Sequence, residues 1–115
     1  MIREIIFYKN YFMDFYVLLD SSVQEKIEYV LQIIRTVDRV PEKFLKHLTG
    51  TNGLYEIRVK AGSDIYRIFC CFHVGRIVIL FHGFQKKSQK TPKKEITKAL
   101  KLMSEYFENK NKDKL

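Results

Sequence analysis

Cysteine, proline and acidic residues are all scarce in this chain, and each shortage excludes something. Of 115 residues, only two are cysteines and two are prolines. The cysteines, Cys70 and Cys71, are neighbours, and neighbours on a strand point to opposite faces. They are badly placed to bridge each other or to hold one metal ion together. Cys71 and His73 would share a face, but two ligands do not make a zinc site. The expectation is two small buried thiols in a reducing compartment, with no metal and no small-molecule cofactor. Long apolar runs are missing as well. The longest stretches without a charged residue, such as Ile77 to Gln85, are nine residues long, too short to cross a bilayer as a helix. Arg3 and Glu4 stand where a signal peptide would begin its apolar run, which points to a cytoplasmic protein with no membrane partner. Repeats and low-complexity linkers are absent too. One domain spanning residues 1–115 is expected, its last few residues a flexible basic tail.

What the chain has in excess is positive charge. Lysine and arginine number 21 against 13 acids, a formal net charge of +8. Residues 86–115 hold ten lysines against Glu95, Glu105, Glu108 and Asp113. Such a block suits a polyanion or an acidic protein partner, although a solvated lysine-rich surface kept for solubility would look the same. A chain of this length can bury a core but has little surface to spare for a deep pocket. An active site is therefore expected on an open face.

Residues 2–8 are apolar and β-branched at their centre and read as a first strand. Residues 10–19 carry a near-continuous apolar surface, consistent with a short buried helix. Asp20, Ser21 and Ser22 are N-cap candidates for the next helix, in which Val23, Ile27, Val30, Leu31, Ile34 and Val37 recur at helical spacing. Pro41 is placed to open a short helical turn over residues 41–48. Gly50-Thr51-Asn52-Gly53 is a turn cluster. The period then changes. Residues 54–60, 64–72 and 76–84 read as three strands joined by short connectors containing Gly62 and Gly75, a hairpin meander. Thr91-Pro92 caps a last helix with the stripe Ile96, Ala99, Leu100, Met103 and Phe107. The order β, α, α, β, β, β, α predicts an α+β layered fold. Its antiparallel sheet would consist of the N-terminal strand plus a three-stranded meander. Two N-terminal helices would pack on one face, and with the C-terminal helix they would form a layer on one side of the sheet.

Turn positions set the expected register. If Gly62-Ser63 is the first two-residue turn, Arg58 faces Arg67. If Val74-Gly75 is the second, Arg67 faces His82. The three side chains would then form a row across three strands, on the face that also carries Glu56 and Lys60. Two opposed arginines repel unless something negative lies between them. Glu56 can do that within a plain surface salt-bridge cluster. The other reading is a phosphate site, since guanidinium forks match phosphate oxygens. A slip of one residue would dissolve the row. His82 alone is unremarkable. After the last strand, Gly83-Phe84-Gln85-Lys86-Lys87-Ser88-Gln89-Lys90-Thr91-Pro92 brings lysines out beside an aromatic ring. That loop is either a polar linker or a grip on a nucleic-acid backbone with Phe84 offered for base stacking.

Taken together, three segments resemble the signature of phage-derived HigB-like toxins of the RelE/ParE superfamily. They are Leu54-Tyr55-Glu56-Ile57-Arg58, Tyr66-Arg67-Ile68 and the run from His82 to Pro92, followed by Glu95-Ile96. The likeness covers about residues 2–108. The Gly-Phe-x-Lys-Lys-x-x-Lys-Thr-Pro run is its most specific part; the early helices match only in pattern. The resemblance implies a RelE-like fold in one toxin domain. It implies co-folding with a cognate antitoxin carrying a helix-turn-helix motif. It also implies metal-independent endoribonuclease cleavage of mRNA on the ribosome, which inhibits translation. In that chemistry a ribose 2′-OH attacks its own phosphodiester, so the protein need only align, move protons and stabilise charge. By similarity, Arg58 and Arg67 would hold phosphate oxygens, and Lys86 and Lys87 would orient the backbone or lower the pKa of the 2′-OH. His82 would transfer the proton, since arginine does not deprotonate in proteins. Lys60, Phe84 and Lys90 would bind RNA. Some relatives use a tyrosine near the C-terminus as acid. Here none stands between the last strand and Tyr106, which leaves the general acid unassigned. The alternatives are a ParE-like DNA gyrase poison on the same fold, or an inactive relative that only binds an antitoxin or nucleic acid. The nuclease reading requires Arg58, Arg67 and His82 to meet on one solvent-facing patch beside the lysine loop.

Overall fold

A computed structural model describes residues 2–113 of the chain. Strand β1 (Glu4–Phe7) leads through a tight turn into helix α1 (Tyr11–Tyr16) and then helix α2 (Ser21–Thr36). Strands β2 (Leu45–His47), β3 (Tyr55–Ala61), β4 (Asp64–His73) and β5 (Ile77–Lys86) follow, and helix α3 (Lys93–Asp113) closes the chain. The flexible tail expected at the C-terminus is helical as far as Asp113; what remains of that expectation, residues 114–115, lies outside the described residues. Among the described residues, no helix is long and apolar enough to cross a membrane.

The α2 stripe behaves as its spacing requires. Asp20 is the N-cap, accepting a hydrogen bond from the Val23 backbone N–H at 3.2 Å. Val23, Ile27, Val30, Leu31 and Ile34 are buried against Ile57, Val59, Ile68 and Leu80 of the sheet. On α1 the expectation of a buried helix fails. Phe12 alone is fully enclosed, while Val17 and Leu18, just past the helix end, stand out in solvent. A continuous apolar run cannot be wholly buried by a six-residue helix that touches the sheet along one side.

Three other expectations need correction. First, residues 41–48 are not all helical turn. Phe44 N–H and Leu45 N–H both bond the Pro41 carbonyl, making one turn, and the chain then straightens into β2, paired antiparallel with β3. Three residues are too few to show alternation. Second, the sheet is mixed. Its order is β1-β5-β4-β3-β2, and β1 runs parallel to β5. A hairpin turn fixes direction only between strands adjacent in sequence, and β1 has no such neighbour. Third, the helices do not share a face. The α2 cluster takes one set of alternating sheet residues, while Ala99, Leu102 and Tyr106 of α3 pack on Phe69, Cys71, Ile79 and Phe81 from the other side.

Candidate active site

Alternation along the strands decides which side chains meet beneath the start of α3. Ile57 and Val59 join the α2 core, so Glu56, Arg58 and Lys60 project from the opposite face of β3. Arg58 pairs with Arg67 across β3 and β4, as the Gly62-Ser63 turn requires. Arg67 does not pair with His82; its partner on β5 is Phe84. Two one-residue departures accumulate here. The β4–β5 turn holds three residues, since His73 pairs with Ile77. A bulge then sets Phe69 against both Phe81 and His82. The second departure cancels the face change made by the first, so His82 stays on the α3 side, displaced from the arginines.

Glu56 separates the two guanidinium groups. Its Oε1 lies 3.3 Å from Arg58 Nε and 3.4 Å from Arg67 Nε. Arg58 Nε donates a hydrogen bond there. Arg67 Nε is within ion-pair range but out of hydrogen-bonding line, and it is buried with no hydrogen-bond partner among the described residues. The other carboxylate oxygen, Oε2, accepts from Thr91 Oγ1 at 3.0 Å. Glu56 is only 3% exposed and Arg67 7%. The expected salt-bridge cluster thus exists, but beneath the surface. Burial pushes the Arg67 guanidinium down from its usual range; Glu56 opposes that shift and Arg58 reinforces it.

Over this cluster opens a cleft of about 470 Å³. Four cations line it, Lys46, Arg58, Lys86 and Lys90, against the single carboxylate of Glu56. Lys86 Nζ donates to the Gln89 carbonyl at 2.6 Å. Its ammonium is held below the usual lysine range by burial and by Arg67, with Arg58 adding and Glu56 opposing. Lys60 is exposed beside Lys43, Arg58 and Arg67 in a neighbouring shallow depression. Lys87 is exposed in another depression, beside Asp64 and Ser88. Phe84 is half-buried, its ring stacked on Phe69 at 5.7 Å.

His82 does not reach the cleft, so the solvent-facing patch of Arg58, Arg67 and His82 expected from the sequence does not form. Arg58 alone of the three lines the cleft, and Arg67 is buried beside it. His82 is 5% exposed and faces α3, where Nε2 meets Glu95 Oε1 at 3.3 Å. That contact fits the Nε2–H tautomer and leaves Nδ1 buried without a partner among the described residues. A proton on Nδ1 would have no acceptor, and burial lowers the imidazole pKa, with Lys98 adding to the fall and Glu95 opposing it. The imidazole that does line the cleft is His47 on β2. It is exposed, with Nε2 3.0 Å from the Thr51 carbonyl and its ring edge-on to Tyr55. Sequence reasoning missed it because the three-residue strand that carries it gives no pattern.

Residues 14–104 match the model of a family described as phage derived protein Gp49-like (DUF891). The chain belongs to that family. The Gp49-like family lies within the RelE/ParE-like toxin superfamily, so a toxin of this type and an antitoxin partner are the general expectation that membership brings. The matched span runs from α1 into α3 and includes every residue of the cluster around Glu56. No curated protein matches the chain.

Proposed function

We propose that this protein is the toxin of a type II toxin–antitoxin pair and cleaves mRNA on the ribosome, using the cleft above Glu56. The observation that carries the reading is the meeting of Arg58 and Lys86 with the buried carboxylate of Glu56 in an open, cationic cleft, with Arg67 buried against the same carboxylate. An open cleft with excess positive charge suits an extended polyanion better than a small enclosed substrate.

The 2′-oxygen of the substrate attacks the adjacent phosphorus as the bond from phosphorus to the 5′-oxygen breaks. The products are a 2′,3′-cyclic phosphate and a free 5′-hydroxyl. One proton leaves the 2′-OH and one is delivered to the departing 5′-oxygen. Arg58 and Arg67 supply charge to the phosphorane oxygens. Proton transfer falls to the groups that line the cleft, Lys86 and His47, and His82 instead holds α3 in place through Glu95. Lys60, Lys87 and Lys90 guide the flanking backbone, and the exposed part of Phe84 offers a surface for a base.

Primer extension on mRNA from induced cells tests this. Wild type gives discrete breaks within codons. Arg67→Ala folds, retains the antitoxin, and loses growth arrest, its cleavage falling on the order of 100-fold, as for removal of one charge-stabilising donor. Intact mRNA accompanied by DNA breaks would favour a gyrase poison, and an Arg67→Ala variant as toxic as wild type would remove Arg67 from the site.

A further inference from the structure

We infer that Glu56 and Thr91 are positioning residues of this cleft, Glu56 by setting the two arginines and Thr91 by fastening the lysine loop to the sheet; the inference rests on reading the cleft as an RNA-cleavage site. A carboxylate is an odd occupant for a phosphate site, because by charge alone it repels the ligand. Its placement explains it. Glu56 Oε1 receives Arg58 Nε and lies against Arg67 Nε, so one atom fixes two guanidinium groups that would otherwise push apart. Without it, Arg58 would keep only the long 3.5 Å bond from Nη1 to the Glu42 carbonyl, and Arg67, whose Nη1 bonds the Tyr66 carbonyl at 3.3 Å, would be a buried cation with no counter-charge.

Thr91 brings in the loop. Between the end of β5 and the start of α3, Lys86 Nζ to the Gln89 carbonyl folds the loop back onto the end of its own strand, and Ser88 Oγ to the Lys90 carbonyl lies within the loop. Thr91 Oγ1 to Glu56 Oε2, 3.0 Å, is the side-chain bond that ties the loop to β3. The hydroxyl is not spent on α3, which is opened by the Pro92 carbonyl accepting from the Glu95 and Ile96 amides. One buried carboxylate thereby fixes both arginines relative to Lys86 and Lys90. It also gives the threonine of the Lys-Thr-Pro run a role that helix capping does not.

The test compares Thr91→Val, Thr91→Ser and Glu56→Gln with wild type in the full chain. Single-turnover cleavage of ribosome-bound mRNA is measured alongside affinity for a 2′-deoxy oligonucleotide that cannot be cut. Thr91→Val is expected to slow cleavage on the order of 10- to 100-fold, the scale of a small misplacement of catalytic groups, with affinity nearly unchanged; Thr91→Ser restores the rate. Glu56→Gln should bind the oligonucleotide more tightly and cut more slowly. Opposite movements of that kind are not produced by simple loss of fold. Cleavage by Thr91→Val at the wild-type rate would overturn the proposal, as would rate and affinity falling together in Glu56→Gln while Thr91→Ser fails to rescue. Should wild type cut no RNA, the nuclease reading falls, and side-chain and amide NMR then decides the positioning claim on its own. Support would be an exchange-protected Arg58 Nε–H lost in Glu56→Gln, and loop amides 87–90 ordered in wild type and Thr91→Ser but mobile in Thr91→Val. Unchanged spectra overturn it.

Discussion

Arginine facing arginine is unfavourable in water and worse beneath a helix, so the pairing of Arg58 with Arg67 demands an explanation in charge. The Gly62-Ser63 turn made that pairing readable from sequence, and Glu56, two residues along the same face, made its counter-ion readable too. His82 was not readable in the same way. Its position depends on an extra turn residue and on a bulge at Phe81 and His82, neither of which leaves a mark in composition. Its burial has a measurable consequence. The folded-state pKa of His82 is lowered chiefly by desolvation, to below the unfolded value of about 6.5. The unfolded chain therefore binds more protons just below that value. Stability should be full above it and should decline as the pH falls towards the folded-state pKa. Denaturant unfolding between pH 7.5 and 5.5 should show this loss, and His82→Phe should flatten it. Equal pH dependence in the two proteins would show that His82 is not its source.

At the scale of elements, α1 is held by one close approach. A Cβ built on Gly83 would come within 2.6 Å of two ring carbons of Phe15, so α1 rests directly on the β5 backbone at this point. Gly83→Ala should destabilise the fold by about 1–3 kcal/mol, the usual cost of overpacking, and Phe15→Leu in the same molecule should recover part of that in a denaturant titration. An unchanged midpoint in Gly83→Ala would mean that α1 moves aside freely. The glycine was visible in the sequence as part of a motif, but its reason lies 68 residues away in the chain, beyond any local pattern. The same limit hid β2. Periodicity found α2, α3 and the three long strands because each spans several repeats of its period. Leu45–His47 spans barely one, and it carries His47, which lines the cleft. Local spacing was likewise silent on which side of the sheet α3 would take, since an amphipathic helix records that it has a partner and not which face that partner presents.

For the molecule as a whole, the net charge of +8 is expressed unevenly, and the cleft lies where the basic segment meets the sheet. Four cations line the cleft. Single-stranded RNA that engages all four should bind with a logarithmic salt slope of about −3, from roughly 0.7 of a counter-ion released per contact. Titration of an uncuttable oligonucleotide across salt concentrations reads that slope, and a value near zero would place the RNA elsewhere. In the proposed reaction the substrate's own 2′-OH is the nucleophile, and Arg58 helps carry the charge it creates. The most direct measurement is cleavage of ribosome-bound mRNA bearing either ribose or 2′-deoxyribose at the scissile position, by wild type and by Arg58→Ala. Wild type should cut only the ribose substrate and leave a 2′,3′-cyclic phosphate, with Arg58→Ala slower by on the order of 100-fold. Scission of the deoxy substrate would exclude the 2′-OH as nucleophile, and an Arg58→Ala rate equal to wild type would remove Arg58 from the reaction.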